Sequence, residues 1–432
     1  MNGNDRSIVG LVAVAHAMVH TYELSLPVFV TVWLVEFDVG TALLGLVLTA
    51  GYGLFGLGAL PGGILADAVG SHRLIVACLF GMGGAFLLLG LAPSLPVIAL
   101  ALLVWGTAAS VYHPSGLSLI STGVEARGSA FAYHGVAGNL GIALGPLMTT
   151  LLLVVLDWHV VAGLLAVPAL LAGALALGID VDETAAARAT DGGAATDDDP
   201  PASDAAESAT DGGVDEAGGG PRAGGVASVP ELVADSKALF AGWFAVVFGV
   251  VIASGLYYRG VLTFLPTLFG DLPALSPVTF AGREFQPADY AYSGLLMVGV
   301  LGQYVGGRLT DRIRPERAIV AAFGVLSALA VVFLPVARAG LGPLLALGAA
   351  LGFTLFSVQP LYQATVAEYT PPGTRGLSYG YTYLGVFGVG ALGATLAGVL
   401  LDALSPAALF ATLAGIAGLG VVLGLALLRR GR

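Results

Sequence analysis

Roughly twelve runs of about 20 or more apolar residues succeed one another along this chain of 432 residues. A helical run of that length matches the ~30 Å hydrocarbon core of a bilayer. In lipid the backbone polar groups must be satisfied internally, which spanning helices achieve. The runs lie at 7–35, 41–66, 73–92, 95–121, 128–156, 158–179, 237–268, 287–309, 317–338, 341–368, 375–401 and 406–428. The expected fold is therefore an all-α membrane protein with twelve transmembrane helices. Composition agrees, with 57% hydrophobic and 10% charged residues against about 25% charged in a soluble domain. An ordinary soluble enzyme and a disordered chain are both excluded. The single cysteine, Cys78, excludes an intrachain disulfide and any CxxC-type metal site. The first run follows a short polar leader and is too long for a signal-peptide core, so it reads as a retained span.

The net charge of −11 is unevenly placed. Residues 180–235 hold 14 of the 28 acidic and 2 of the 17 basic side chains. The rest of the chain is close to neutral. Segment 180–236 is rich in Asp, Ala, Gly and Thr and has almost no large apolar residue. It reads as a disordered cytoplasmic linker between two bundles, 1–179 and 237–432. The acidity thus describes a joint and says nothing about substrate charge. With the N-terminus inside, fourteen of the 17 basic side chains fall on the cytoplasmic side, as the positive-inside rule requires. Both termini are expected to be cytoplasmic, in a multi-pass protein of the cell membrane.

The two bundles repeat each other. Gly63–Asp67 (GILAD) matches Gly307–Asp311 (GRLTD) at an offset of 244. His113-Pro114 matches Gln359-Pro360 at 246, and Arg127-Gly128 matches Arg375-Gly376 at 248. Pro27 and Pro266 close the first span of each half, 239 apart. Four matches in the same order at a nearly constant offset indicate a duplicated six-helix unit, as in transporters whose site lies between repeats. The architecture expected is two pseudo-symmetric six-helix bundles.

These residues resemble the major facilitator superfamily over nearly the whole chain. The carriers are Gly63-Ile64-Leu65-Ala66-Asp67-Ala68-Val69-Gly70-Ser71-His72-Arg73 and its echo at Gly307–Arg314. Ala68 stands where the superfamily usually has arginine, whereas Arg312 is kept in the second copy. Tyr112-His113-Pro114-Ser115-Gly116, Arg127-Gly128 and Gly138-Asn139-Leu140-Gly141 look similar to the fosmidomycin-resistance-type branch of proton-driven efflux carriers. Gly145-Pro146 is similar to the signature of drug:proton antiporters, although the span-4 arginine of many such proteins is missing from 95–110. The resemblance implies that Asp67 and Asp311 each meet a helix start in the opposite half, near Arg375 and Arg127. With Gly63, Gly70, Arg73, Gly307 and Arg312 they would form a cytoplasmic gate.

Ionisable groups in lipid cost about 2.5–3.5 kcal/mol each on insertion scales and usually face a cavity or a partner. Span 1 carries His16, His20 and Glu23 at i, i+4 and i+7, on one helical face. Span 7 carries Arg259. The resemblance implies that spans 1 and 7 line the central cavity. Glu23 and Arg259 are expected to approach across the halves, in the outer part of the membrane. They would form a gate or a substrate contact that protonation of Glu23 or a histidine releases, or else a permanent structural bridge. His113 and His134, on spans 4 and 5, suit substrate or proton contact, or the capping of backbone freed by Pro114. Asn139, Gln303, Gln359 and Gln363 suit substrate binding or helix joining.

The function expected is secondary transport, specifically proton-coupled efflux of a small organic compound by alternating access. An importer or facilitator of an organic anion attracted by Arg259 is the alternative. A membrane-embedded metalloenzyme using His16-x-x-x-His20-x-x-Glu23 is the reading from another class. There is no HExxH, since Ala17 follows His16. No G-x-x-x-x-G-K-[ST] loop occurs, which argues against an ATP-driven pump. No enzymatic activity, cofactor, metal or nucleic-acid partner is expected. The partners are a small molecule, protons and the bilayer, and the chain is expected to be a monomer.

Overall fold

The computed structural model describes residues 1–188, 229–280, 282–371 and 374–430. The first half contains α1 (Gly3–Glu36), α2 (Thr41–Leu57), α3 (Ala59–Val69), α4 (Ser71–Gly90), α5 (Leu95–Ser110), α6 (Tyr112–Gly123), α7 (Arg127–Leu153) and α8 (Trp158–Ala176). The second contains α9 (Val229–Phe240), α10 (Phe244–Leu262), α11 (Leu265–Gly270), α12 (Pro287–Thr310), α13 (Pro315–Ala337), α14 (Leu341–Tyr369), α15 (Arg375–Tyr383), α16 (Leu392–Ala403) and α17 (Pro406–Arg430). Among the described residues, ten helical stretches are long and apolar enough to cross a bilayer, and α2 with α3, bent by 46°, makes an eleventh. The twelfth position is α12, which is long enough at 24 residues but carries Asp289, Gln303 and Arg308.

Proline and glycine decide where spans break. Pro27 sits inside the unbroken 34-residue α1. Span 2 bends at Gly58, where a Cβ would lie 2.2 Å from the Ser110 hydroxyl. Span 7 is interrupted between Leu262 and Leu265, ahead of Pro266. Span 11 passes through a π-helical stretch, Leu384–Val389, with the Gly390 N–H donating to the Gly385 carbonyl at 2.9 Å. A π turn inside a transmembrane helix widens it locally and redirects side chains.

The duplication is visible in the packing. A Cβ on Gly106 would meet the Gly51 carbonyl at 2.0 Å, and one on Gly352 the Leu295 carbonyl at 2.3 Å. Gly62 abuts the Pro114 ring and Gly306 the Pro360 ring. In both halves small residues let the second and fourth spans touch backbone to backbone. The halves meet where α2 packs on α16 and the π stretch, α7 on α12, the end of α1 on α11, and α3 on α15.

Two features depart from the expected organisation. A two-stranded antiparallel hairpin, β1 (Val278–Phe280) and β2 (Arg283–Phe285), stands between α11 and α12. Three-residue strands outside the membrane leave no signal in apolar run length. The segment expected to be a linker, 180–236, is also structured at both ends. Helix α9 begins at Val229, and residues up to 188 are held against the first bundle. Residues 189–228 lie outside the described residues.

The hold on that first end is specific. The Asn4 side chain donates to the carbonyls of Gly123 and Asp182, each at 3.0 Å, and accepts from the Asp182 N–H at 2.8 Å. The Glu183 carboxylate accepts from the N–H groups of Ser71 at 2.8 Å and His72 at 3.2 Å, at the start of α4. Buried Asp5 accepts from the N–H groups of Glu125 and Ala126 at 3.1 and 3.3 Å, just ahead of α7. A carboxylate at a positive helix N-terminus is favourable. Asp5→Ala should therefore destabilise the first bundle by about 1–2 kcal/mol, read as a lower thermal midpoint of the detergent-solubilised protein.

Candidate functional site

The site grows from one face of α1, where His16, His20 and Glu23 lie in line, all buried. Pro27 lacks the N–H that would have bonded the carbonyl four residues back, that of Glu23. The Tyr52 hydroxyl donates to this carbonyl instead, at 3.1 Å. Tyr52 also carries the Arg259 guanidinium over its ring, 3.7 Å from the centroid. Arg259 completes the arrangement by donating to Glu23 Oε1 at 2.5 Å. The two residues expected to meet across the halves do so, from α1 and α10. Their side chains are 0% and 2% exposed, so neither charge is hydrated and each depends on the other.

The second carboxylate oxygen of Glu23 faces His20 Nδ1 at 2.7 Å. A carboxylate ion-paired to arginine accepts only, so Nδ1 of His20 is the donor. His16 Nδ1 lies 2.8 Å from the His134 carbonyl, which likewise only accepts. Both δ nitrogens are thus committed as donors. The remaining nitrogens, His16 Nε2 and His20 Nε2, face each other at 3.1 Å. Two bare lone pairs at that distance repel, and the arrangement accommodates one positive centre between them.

Aromatic groups close around this pair. The His134 ring stacks on His16 with centroids 3.8 Å apart, and His113 stands edge-on to His16 at 5.4 Å. Tyr112 anchors α6 to α1 by donating to the Val12 carbonyl at 2.6 Å. Gly138 explains the close stack, because a Cβ there would overlap the His16 ring at 2.4 Å. Gly141 and Gly145 continue the same seam against the backbone of Ala17 and Thr21. Two buried nitrogens, His134 Nε2 and Arg259 Nε, have no hydrogen-bond partner among the described residues.

The other anticipated residues are placed differently. Gln359 accepts from Gln303 Nε2 at 2.9 Å, joining α12 to α14. Asn139 is half-buried on α7. His113 and His134 make ring contacts in the cluster, and no hydrogen bond from either to backbone freed by Pro114 occurs among the described residues.

Among the described residues, the cytoplasmic gate that the resemblance implied makes no ion pair. Asp67 and Asp311 are exposed, and neither forms an ion pair among the described residues. Arg73 and Arg312 are exposed and Arg127 is half-buried. The side chain of Arg375 lies outside the described residues. Gly63 and Gly307 occupy equivalent places beside Pro114 and Pro360. Gly70 has a left-handed φ of 96°, which glycine tolerates and other residues rarely do. At this end Asp5 meets the start of α7, where Asp311 was expected, and Glu183 meets the start of α4.

The sequence reading missed the aromatic wall. Phe387 lies 4.7 Å from Phe55, 6.1 Å from His113 and 5.8 Å from the Arg259 guanidinium carbon. Tyr383 lies 4.8 Å from His113. The available signal was Gly385, Gly388 and Gly390, whose spacing accompanies the π stretch that presents Phe387.

The fold is a duplicated bundle of membrane-spanning helices with a buried ion pair between its halves. The chain belongs to the Major Facilitator Superfamily, whose family model matches residues 9–337 and 280–432. A stretch of 116 residues is 38% identical to the puromycin resistance protein of Streptomyces alboniger, covering 26% of this chain and 23% of that protein. Another of 132 residues is 38% identical to the uncharacterized MFS-type transporter YfnC of Bacillus subtilis, 29% of each. The matched stretches thus span under a third of these curated relatives. Among solved structures, the nucleoside transporter NupG has a TM-score of 0.72 at 14% identity, with 98% of this chain and 99% of that one covered. A bacterial homologue of the human lysosomal transporter Spinster, inward-facing and occupied, has a TM-score of 0.68 at 12% identity, covering 98% and 96%. These likenesses establish the fold.

Proposed function

We propose that the protein is a proton-coupled exporter of a small organic compound, a monomer of the cell membrane with both termini cytoplasmic. The observation that carries this reading is the chain His16–His20–Glu23–Arg259, a proton path ending on the ion pair between the halves. A proton arriving between the two Nε2 atoms makes His20 an imidazolium. His20 then passes its Nδ1 proton to Glu23 Oε2, 2.7 Å away. Glu23 becomes neutral, His20 becomes the neutral Nε2–H tautomer, and the attraction to Arg259 falls.

Loss of that attraction releases the halves at the end away from the termini, as alternating access requires. At the same end the Tyr292 hydroxyl donates to the Leu24 carbonyl at 3.4 Å and the Thr41 hydroxyl to the Gly398 carbonyl at 2.8 Å. The exposed Asp67 and Asp311 are consistent with an unlatched inner side. The likeness to a puromycin resistance protein supports export. A second reading, transport of an organic anion, is supported by the unpartnered Arg259 Nε.

A pH-jump flux screen in proteoliposomes tests both readings. Phosphonates related to fosmidomycin, cationic drugs and puromycin are the first probes. Export predicts substrate uptake into inside-out vesicles driven by an acidic lumen, whereas inward driving by an acidic exterior favours import. Glu23→Gln should abolish gradient-driven flux while leaving substrate exchange at equal pH. Full gradient-driven flux in Glu23→Gln would overturn proton coupling through this site.

A further inference from the structure

We propose that His16, His20 and His113 form a binding site for one divalent transition-metal ion of the zinc class. One ligand nitrogen from each of the three lies within 4.8 Å of the others. The first two stand one helical turn apart on α1, a spacing that brings two imidazoles to the same ion. The third comes from α6, beside the break between α5 and α6.

The hydrogen bonds point the same way as the positions. A histidine that binds metal through one nitrogen usually donates from the other to a carboxylate or a carbonyl, which fixes the tautomer. His20 donates to Glu23 and His16 to the His134 carbonyl, so both already have the bonding of ligands. Their Nε2 atoms are 3.1 Å apart. Two nitrogens on a tetrahedral ion at 2.0–2.1 Å would stand about 3.3 Å apart, so this pair closes on an ion with almost no movement. A rotation of the His113 ring, which among the described residues makes ring contacts and no hydrogen bond, completes the set.

The surroundings select the metal. The neighbours include Tyr112, Phe55, Phe387, Tyr383 and the His134 ring, and both Glu23 oxygens are engaged. With imidazole nitrogen as the available donor, Ca²⁺ and Mg²⁺ are disfavoured and Zn²⁺ or Co²⁺ favoured. The His134 ring stacked on His16 keeps a buried Nε2 without a hydrogen-bond partner among the described residues. The proposal rests on geometry alone and stands whether or not protons drive transport. An ion held here would occupy the nitrogens through which the proton is routed, so Zn²⁺ should also inhibit gradient-driven flux.

Equilibrium binding to the full-length, metal-stripped protein in detergent tests it without a transport assay. Co²⁺ should bind one per chain with the visible absorption of a tetrahedral nitrogen site, and Zn²⁺ should displace it. His113→Ala and His16→Ala should each weaken Zn²⁺ binding at least tenfold and abolish the Co²⁺ band. His159→Ala, on the surface beside Asp157, should leave both unchanged. Size-exclusion profiles identify any variant that misfolds, and His113→Ala keeps the Glu23–Arg259 pair for that purpose. Absence of stoichiometric Co²⁺ and Zn²⁺ binding overturns the proposal, as does binding that survives both histidine substitutions.

Discussion

Arg259→Met should abolish gradient-driven transport and strongly destabilise the protein, because it leaves Glu23 buried as a carboxylate without its partner. Removing one member of a buried ion pair typically costs about 3–5 kcal/mol, whereas replacing both by neutral groups is often tolerated. Arg259 also loses its place over the Tyr52 ring, a contact worth about 2 kcal/mol when desolvated. The double variant Glu23→Gln/Arg259→Met should therefore recover most of the lost thermal stability. It should not recover transport, since the element that protonation would switch is gone. Thermal midpoints with and without substrate, together with pH-jump flux for the two single variants and the double, form the cycle. A double variant that transports like the parent would reduce the pair to a structural bridge.

Gly398→Val should shift the protein toward a state open at the end away from the termini. A Cβ at Gly398 would lie 2.3 Å from the Thr41 carbonyl oxygen, and one at Gly45 2.6 Å from that of Ala394. These are backbone contacts between α2 and α16, on opposite halves, so no rotamer change relieves them. Around them run the Thr49 hydroxyl to Ala391 carbonyl bond at 2.9 Å and the Thr395–Thr49 hydroxyl bond at 2.7 Å. In a Cys78→Ala background, thiol labelling of Thr49→Cys reports opening. Adding Gly398→Val should raise the labelling rate about tenfold or more, a shift of at least about 1.4 kcal/mol. Gly398→Ala should act in the same direction. Gly380→Ala is the contrast, because the close contact of its Cβ would be the end of the Leu60 side chain at 2.5 Å, which can rotate away. Unchanged labelling in both Gly398 variants would contradict a closed outer contact at this position.

What the sequence determined follows from local chemistry. Run length against bilayer thickness defined the spans, although α12 is less apolar than its neighbours. Repeated GILAD and GRLTD segments with matching prolines defined the two halves. The 3.6-residue period put His16, His20 and Glu23 on one face, and the scarcity of charge made Arg259 their natural counterpart. The tertiary structure alone decided the rest. Tyr52 takes the carbonyl that Pro27 leaves unbonded, the π stretch turns Phe387 toward His113, and Gly138 lets the His134 ring lie on His16. Those outcomes depend on interhelical distances of a few ångström, which glycine placement permits and sequence spacing does not encode. The cytoplasmic motifs are the counterexample, since Asp67 and Asp311 are plain in the sequence. Whether such carboxylates meet a helix start depends on how the halves stand, and here Asp5 and Glu183 hold the helix starts within the first half.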